Sequence, residues 1–323
     1  LVYLAPDTVA VRDVPEPDLL GGDRVLVRIA AAGICGSDLH AYRGHDPRRV
    51  PPLILGHEAV GLTDDGRRVV INPLMPCGRC DRCLESRTHL CRNRRMIGMQ
   101  DPGCLAQAVA VPEANLIPVP EGTSDLAAAL TEPAACVLHG LALAARALAR
   151  PVAEARALVL GGGAIGLIAA LFLIAWGCRQ VELAETQPGR REAARRAGVA
   201  KAFDPRRSPP AEGFFDLVFD AVGSGATRHA ASAAVAPGGV ILHIGLQDCE
   251  AGLDTRRMTL QEVAVVGSYG YTRADLVAAL EALSRGVLGD LFWVEERSLA
   301  DGVAAFAELA GGRAASPKII LRP

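Results

Sequence analysis

Four cysteines on one short stretch give the most specific chemical signal in this sequence. Cys77, Cys80, Cys83 and Cys91 have two, two and seven residues between them. Four thiolates on one loop can close a tetrahedral site around zinc, and such a site leaves no position for a substrate. We therefore predict a structural zinc site. A pair of disulfides is the alternative, which the absence of a recognisable secretory signal disfavours.

Residues that could bind a metal and leave one position free occur elsewhere in the chain. Cys35 lies in a short polar stretch, His57 and Glu58 are adjacent, and Glu132 precedes a proline. One thiolate, one imidazole and one or two carboxylates can hold zinc while leaving room for water or substrate. Their spacing alone does not establish a second zinc site.

A glycine-rich turn predicts a dinucleotide site. Gly161, Gly163 and Gly166 form the pattern G-x-G-x-x-G, with Ala164 and Ile165 before the last glycine. The pattern follows one apolar run and opens another, as expected between a strand and a helix. The first glycine permits a tight turn, the second lets the backbone approach a pyrophosphate, and the third allows close helix packing. An ordinary strand–turn–helix without a nucleotide is the alternative.

An acidic residue after the next predicted strand indicates which nucleotide is bound. Glu185 stands 19 residues after Gly166, where a carboxylate can accept hydrogen bonds from the ribose hydroxyls. Because it would repel a 2′-phosphate, we expect NAD in preference to NADP. Arg190 and Arg191 follow closely and would soften that exclusion, and we include Arg190 in the predicted cofactor site.

The apolar pattern predicts two architectures in one chain. The proline-rich first part indicates short strands, at residues 24–30, 67–71 and 106–111. A helical stretch at 124–150 is followed by alternating strands and helices, the signature of βαβ units around a parallel sheet. Strands are predicted at residues 155–160, 180–184, 215–220, 239–244, 263–267 and 318–322. Helices are predicted at residues 164–176, 188–197, 226–235, 273–284 and 299–309.

Length and composition exclude several classes of protein. The 323 residues suit about two domains, and 50% hydrophobic with 22% charged residues excludes disorder. A net charge of −2, with no basic helix after the cysteine cluster, gives no basis for nucleic-acid binding. Residues 157–178 lack charge over a bilayer-spanning length, but their five glycines favour a buried strand, turn and helix. We expect a cytoplasmic protein without a membrane span.

Taken together, the motifs resemble the zinc-dependent medium-chain dehydrogenases. The stretch from Cys35 to His40, Gly56-His57-Glu58, the cysteine lobe, Glu132-Pro133 and the glycine turn occur in the family's order and span nearly the whole chain. Glu132 stands where classical alcohol dehydrogenases carry a cysteine ligand, which resembles the polyol branch of sorbitol (L-iditol) and galactitol-phosphate dehydrogenases. The resemblance implies an α/β fold in which a Rossmann doubly wound parallel sheet domain accompanies a β-rich GroES-like catalytic domain.

The resemblance also implies a domain order and an assembly. Residues 1–125 would form the GroES-like catalytic domain, 126–271 the Rossmann NAD-binding domain, and 272–323 a segment that returns to the catalytic domain. Such proteins are expected to be homo-oligomers, dimers or tetramers. The strands at 239–244 and 263–267 are expected to be sheet edges that pair across a dimer.

The resemblance assigns a second, catalytic zinc ion, so that each chain would hold two. Cys35 and His57 would be ligands, and either Glu58 or Glu132 would supply the third, directly or through the bound water. Which of the two carboxylates binds directly stays open.

Three further residues receive catalytic roles from the resemblance. Asp38 would orient His57 and fix its tautomer, and Ser37 and His40 would relay a proton from the substrate hydroxyl to solvent. Each has a simpler interpretation: Ser37 as the cap of a helix starting at Asp38, Asp38 as a first-turn carboxylate, and His40 as a surface histidine.

The implied function is hydride transfer from a secondary alcohol of a polyol or sugar alcohol, with or without a phosphate group, to NAD. Zinc would acidify the hydroxyl, and the alkoxide would give up the hydride. The alternatives are a dehydrogenase of an amino alcohol such as threonine or of a simple secondary alcohol, and a non-enzymatic nucleotide-binding zinc scaffold. Tyr42, Arg43, Arg48 and Arg49 would either face the substrate, recognising phosphate or carboxylate, or be solvated surface groups.

Overall fold

A computed structural model describes residues 1–19 and 22–323. Over these residues the chain forms eighteen strands and ten α-helices. The strands are β1 Val2–Ala5, β2 Thr8–Ala10, β3 Arg24–Gly33, β4 Leu53–Ile54, β5 Glu58–Thr63, β6 Arg68–Ile71, β7 Leu74–Met75, β8 Arg95–Met96, β9 Ala108–Pro112, β10 Leu116–Pro118, β11 Arg156–Leu160, β12 Gln180–Ala184, β13 Lys201–Phe203, β14 Phe215–Asp220, β15 Val235–His243, β16 Ala264–Gly267, β17 Val294–Ser298 and β18 Lys318–Arg322. The helices are α1 Gly36–Tyr42, α2 Asp81–Leu84, α3 Asp125–Ala129, α4 Thr131–Ala147, α5 Ala164–Ala175, α6 Pro188–Arg196, α7 Gly225–Ala234, α8 Thr255–Leu260, α9 Arg273–Ser284 and α10 Gly302–Ala310.

Six strands form a parallel sheet in the order β13-β12-β11-β14-β15-β16. The chain enters at β11, winds outward to β13, and then crosses to build the other half from β14 to β16. This is the doubly wound arrangement, in which a nucleotide binds at the carboxyl ends of the strands where the winding direction changes. The change falls between β11 and β14, so the glycine turn after β11 lies at the expected crevice.

Helices cover both faces of this sheet, which explains why its central strands are continuous apolar runs. On one face α4, α5 and α9 bury Leu141, Phe172 and Leu280. On the other, Ala231 of α7 packs with Ile241 of β15. Successive residues of the central strands point to opposite faces of the sheet, so they contribute alternately to the two hydrophobic cores.

The second large sheet is antiparallel around β3 and contains the last strand of the chain, β18, whereas β1 pairs with β2 and β4 in a separate small sheet. Its strands run β10-β6-β5-β3-β18-β17, and β9 also pairs with β3. β18 pairs with β3 through Ile320 opposite Gly33, while Gly33 also stands opposite Glu58 at the start of β5. One end of this sheet therefore brings together chain segments that lie far apart in the sequence.

Local signals place two site residues at helix starts. Cys35 caps α1: its sulfur accepts the Ser37 N–H at 3.5 Å, and Asp38 accepts the Cys35 N–H at 3.0 Å. Ser37 is therefore inside the helix, and its interpretation as the cap is wrong. Glu132 is buried in the first turn of α4, where α4 packs against β5.

Several predicted elements differ from the structure. The strand expected at 239–244 is not a sheet edge, because β15 lies between β14 and β16; only β16 is an edge there. Val235, expected to end a helix, begins β15. The helical stretch at 124–150 divides at Leu130, and the helix expected at 299–309 begins with a 3₁₀ turn. The strand–turn–helix predicted for residues 157–178 is confirmed by β11 and α5.

No helix among the described residues has the length and apolar character needed to cross a membrane.

Substituting Gly166 by alanine should destabilise the parallel-sheet domain. A Cβ at this position would overlap the carbonyl oxygen of Gly161 and meet Val159, so the start of α5 must move. We expect a loss of about 3 kcal/mol in the free energy of unfolding, from chemical denaturation. Gly267→Ala is the matched control, because a Cβ there meets no atom within 4 Å. Equal stability of the two variants would contradict the close packing described here.

Candidate active site

The four cysteines of the predicted structural site converge in the structure. The sulfur of Cys80 lies 3.5 Å from that of Cys83 and 3.7 Å from that of Cys91, and Cys77 and Cys83 are 4.0 Å apart. A tetrahedral zinc with bonds of about 2.3 Å requires sulfur separations of about 3.8 Å. None of the nine cysteines, all of which are described, forms a disulfide. The lobe therefore fits zinc, and the disulfide alternative finds no support.

Backbone amides help to ionise this lobe. The N–H groups of Arg79 and Cys80 lower the pKa of Cys77 to about 6, whereas burial raises the pKa of Cys83 to about 12. A zinc ion binds thiolates, so binding at Cys83 would displace a proton.

Cys35, His57 and Glu58 form a second group of donors. A sulfur, a ring nitrogen and a carboxylate oxygen from these residues lie within 4.8 Å of one another. His57 and Glu58 are buried, and Cys35 is half-buried. This set leaves room for a further ligand in a tetrahedral site, as a catalytic zinc requires.

The orientation of His57 is fixed by its neighbours. Its Nδ1 lies 3.4 Å from Asp38 Oδ1, and its Nε2 lies 3.5 Å from the hydroxyl of Ser37. Burial opposes ionisation of the ring, but the charges of Asp38 and Cys35 outweigh it and raise the pKa of His57. A carboxylate at Nδ1 leaves Nε2 for a metal, the arrangement common among histidine ligands.

Arg49, which the sequence left as a pocket or surface group, is buried and organises this region. Its guanidinium donates to Ser37 Oγ at 3.0 Å, lies 3.5 Å from Asp38 and pairs with Asp46 at 2.6 Å. Burial would raise the pKa of Asp38, but His57 and Arg49 outweigh it and lower that pKa. Asp38 thus stays ionised, and it serves both as a helix-capping carboxylate and as the partner of His57.

Lys318 is the main site residue that the sequence analysis missed. Its side chain is 2% exposed, and its ammonium donates to Glu58 and, at 2.8 Å, to the carbonyl oxygen of Ile34. Burial alone would lower the pKa of Lys318. Glu58 and Cys35 outweigh burial and raise that pKa above its usual value, so the amine stays charged. Gly33 leaves the space for this pair, because a Cβ there would meet both side chains. The sequence feature that could have revealed Lys318 is its type and place: it is one of only two lysines in the chain, and it opens an apolar strand.

Glu132 lies close to these groups but outside the tight set of donors. Burial, with a contribution from Glu58, raises its pKa to about 7. Tyr271 is buried and Cys136 half-buried beside it, and desolvation together with the charge of Glu132 raises the pKa of both. Cys136 lies one helical turn after Glu132 and faces the same group of residues.

His40 is half-buried on α1, and burial, with His45 and Arg43 adding, lowers its pKa. It is therefore less accessible than a surface histidine would be.

The glycine turn has the conformation that its pattern predicts. Gly161 adopts φ +100°, which favours glycine. Gly163 immediately precedes α5 as its N-cap, and a Cβ there would meet only Arg190, at 3.9 Å, so this side of the turn is open. Glu185 is 7% exposed and accepts the N–H groups of Gly162 and Gln187, each at 2.7 Å.

The arginines near Glu185 have different surroundings. Arg190 reaches over the glycine turn, and its Nε is buried without a hydrogen-bond partner. Arg191 is committed to the carbonyl oxygens of Glu185 and Thr186, both at 2.8 Å. Of the two, Arg190 therefore has donors available for a nucleotide phosphate or ribose.

Other residues singled out from the sequence lie away from the site. Tyr42 packs on Phe306, and Arg43 donates to the carbonyl oxygen of Ala310.

The two sets of donor residues fit two zinc ions, and the crevice at the glycine turn fits a nicotinamide dinucleotide. These features define the class of the protein as a zinc-dependent oxidoreductase. Comparison with known proteins gives the same result. Residues 21–121 match the family Alcohol dehydrogenase GroES-like domain, and residues 164–285 match the family Zinc-binding dehydrogenase.

Curated relatives match along most of their length. L-threonine 3-dehydrogenase of Streptomyces coelicolor is 33% identical over 96% of this chain and 94% of its own. L-galactonate-5-dehydrogenase of Escherichia coli is 31% identical over 85% and 83%. Among solved structures, a protein described as a zinc-binding dehydrogenase from Sinorhizobium meliloti, bound to NADP, superposes with a TM-score of 0.88 at 28% identity, covering 100% and 98% of the chains.

The chain belongs to the zinc-binding alcohol dehydrogenase family. It is a zinc-dependent, NAD(P)-linked alcohol/polyol dehydrogenase, and the predicted fold class, a Rossmann domain with a GroES-like domain, is confirmed.

Replacing Lys318 by methionine should destabilise the metal-free protein more than the zinc-loaded protein. The variant leaves the buried carboxylate of Glu58 without its partner, a change that costs about 3 kcal/mol or more. Zinc supplies a replacement positive charge, so loading should recover much of the loss. Denaturation with and without a chelator measures both values.

The double variant Lys318→Met/Glu58→Gln is the control, since it removes both charges and should be more stable without metal than the single variant. If the single variant lost the same stability in both metal states, the charge explanation would be wrong.

Proposed function

We propose that this protein oxidises a secondary hydroxyl of a polyol or sugar acid, with NAD as the hydride acceptor. The observation that carries the proposal is the convergence of Cys35, His57 and Glu58 within 4.8 Å, beside a sheet whose glycine turn faces the nucleotide crevice. When bound, zinc acidifies the substrate hydroxyl and the nicotinamide accepts the hydride.

The chain's own residues would have distinct roles at the catalytic metal. Cys35, His57 and Glu58 would hold the ion, and Asp38 would orient His57. Glu58 is favoured over Glu132 as the direct ligand because it belongs to the tight donor set. Glu132 would then act on the fourth, exchangeable position through water.

Ser37 and His40 would move the hydroxyl proton toward solvent. Ser37 Oγ lies 3.5 Å from His57 Nε2 and accepts a hydrogen bond from Arg49, so its lone pairs are partly fixed and its own proton is free to be donated onward. His40 lies three residues later on the same helix face, which supports a role for it in this transfer.

At the nucleotide, Gly161, Gly163, Ala164, Ile165 and Gly166 would form the pyrophosphate turn. Glu185 would bind the ribose hydroxyls and disfavour NADP. Arg190 would supply a nearby positive charge. The relative from Sinorhizobium meliloti binds NADP, so the preference for NAD is a property proposed for this chain.

Two substrate classes follow from the relatives. L-galactonate is a sugar acid, whereas L-threonine is a hydroxy amino acid, an amino alcohol that also carries a carboxylate. Glu132, with a carboxylate where a cysteine ligand would otherwise stand, favours the polyol class; oxidation of an amino alcohol is the second candidate, supported by the relative that matches 96% of the chain.

Assembly and location are proposed on separate grounds. β16 is an edge of the parallel sheet with half its residues exposed, so it would pair with a second copy in a homo-oligomer. Nine cysteines without a disulfide suit a reducing compartment, which supports the cytoplasm.

Cys35→Ser should abolish turnover and remove one of two zinc ions while NAD binding survives. We expect loss of activity by roughly three orders of magnitude, because acidification of the hydroxyl depends on that metal. Elemental analysis, NADH formation over a panel of polyols, sugar acids and threonine, and NADH binding measure the three effects.

Cys80→Ser is the matched cysteine variant: it should also lose one zinc, but its main effect should be on stability. Undiminished turnover in Cys35→Ser would remove the catalytic assignment, and one zinc per wild-type chain without any turnover would favour a scaffold.

Glu185→Gln should shift the choice of nucleotide toward NADP. The amide keeps an acceptor oxygen but removes the charge that repels a 2′-phosphate, so the NAD-to-NADP ratio of kcat/KM should fall about tenfold. Glu212→Gln is the control, because Glu212 has a side chain that is 77% exposed and lies outside the glycine turn. An unchanged ratio in Glu185→Gln would show that this carboxylate does not select the nucleotide.

A further inference from the structure

Two arginine side chains lie beside a tyrosine that stands between the two domains. Tyr269 follows β16, and the guanidinium carbon of Arg94 lies 4.6 Å from the centre of its ring. Arg48 lies beside the phenol. Asp46 makes the largest contribution to raising the pKa of Arg48, and Tyr269 adds to it. We call Arg48, Tyr269 and Arg94 the arginine–tyrosine cluster.

Two members of the cluster are close along the chain to residues of the candidate site. Arg48 is next to Arg49, whose guanidinium donates to Ser37. Tyr269 is two residues before Tyr271, which is buried beside Glu132. Two residues span at most about 7 Å, so the backbone of Tyr269 stays within that distance of the backbone of Tyr271.

The side chains of the arginine–tyrosine cluster are more exposed than that of the neighbouring Arg49. The side chain of Arg48 is 47% exposed, and Arg94 and Tyr269 are half-buried. Arg49, by contrast, is fully buried. The cluster is therefore more accessible to a ligand from solvent than Arg49 is.

The charges in the cluster are only partly balanced. Asp46 accepts both Arg48 and Arg49. Arg94 donates to the carbonyl oxygen of Cys91 at 2.9 Å, and within the described part of the chain no carboxylate forms an ion pair with it. A guanidinium stacked on an aromatic ring keeps its in-plane N–H groups available for a carboxylate or phosphate.

We infer that Arg94 and Arg48, held on Tyr269, bind an anionic group of the substrate. This deepens the proposed function and rests on it: the molecule oxidised would carry a carboxylate or a phosphate monoester on the same carbon chain as the reacting hydroxyl. Neutral polyols would bind without this contact and would be poorer substrates.

The test compares a neutral hexitol, a hexonate and a hexitol phosphate, each as a set of stereoisomers, with wild type and Arg94→Gln. Wild type should prefer one anionic class at least tenfold in kcat/KM. Arg94→Gln should lower kcat/KM for that class about tenfold to a hundredfold and change the neutral substrate less than threefold. Whether hexonate or hexitol phosphate shows the larger loss identifies carboxylate or phosphate.

Arg43→Gln is the matched control, because Arg43 is exposed and donates to a carbonyl oxygen outside the cluster; it should behave like wild type. Arg94→Lys keeps the charge without the planar pair of donors and should fall between wild type and Arg94→Gln. Raising the salt concentration should reduce the preference for the anion in wild type and leave Arg94→Gln little changed.

Calorimetric binding of hexonate and hexitol phosphate to the enzyme–NADH complex separates this inference from the proposed function. Binding that depends on Arg94, with no oxidation of any alcohol, would support the anion site while the proposed function fails. Oxidation of neutral and anionic substrates at equal rates, or equal losses on all substrates in Arg94→Gln, would overturn the anion site and leave the proposed function standing.

Discussion

The buried ion pair between Lys318 and Glu58 is the interaction on which the rest of the site depends. The side chains of Cys35 and Glu58 lie close together, and Lys318, whose pKa is raised chiefly by Glu58 against the effect of burial, places a positive charge beside that carboxyl group. Without such compensation, desolvation would favour neutral groups, which bind zinc poorly. The pair also explains two features of the sheet: Gly33 has no side chain because the ammonium and carboxylate occupy that space, and β18 must pair beside β3 to bring Lys318 there.

A second group of charged residues orients the side chains that would bind the metal. Asp46 holds Arg49, and Arg49 in turn contacts both Ser37 and Asp38. Asp38 has one oxygen on the backbone N–H of Cys35 and the other toward His57. Cys35, His57 and Ser37 are thus connected by a continuous series of polar contacts that extends from the loop after α1. A change at Asp46 would therefore act on His57 through Arg49 and Asp38, without any direct contact.

The sequence predicted those parts of the site that are written locally. The cysteine lobe and the glycine turn each lie within a short stretch, and both have the expected geometry, with sulfur separations of 3.5 to 4.0 Å and φ +100° at Gly161. The missed groups depend on tertiary pairing: Lys318 acts on a residue 260 positions earlier, and Arg49 looked like one of several surface arginines. Val235 follows a run of alanines that favours a helix, but it begins β15 because it pairs with β14. The roles of Ser37, His40 and Glu132 came from resemblance, and they remain predictions.

Pairing of β18 with β3 also has a consequence for the order in which the protein can mature. The cysteine lobe lies within fifteen residues, 77 to 91, and can close around a metal as soon as that stretch leaves the ribosome. Glu58 is synthesised earlier still, yet its counter-charge arrives only when residue 318 has been translated and docked. During synthesis the residues of the two candidate metal sites are therefore completed at different times, those of the cysteine lobe first, and a nascent chain carries Cys35, His57 and Glu58 without their buried lysine until translation is almost finished.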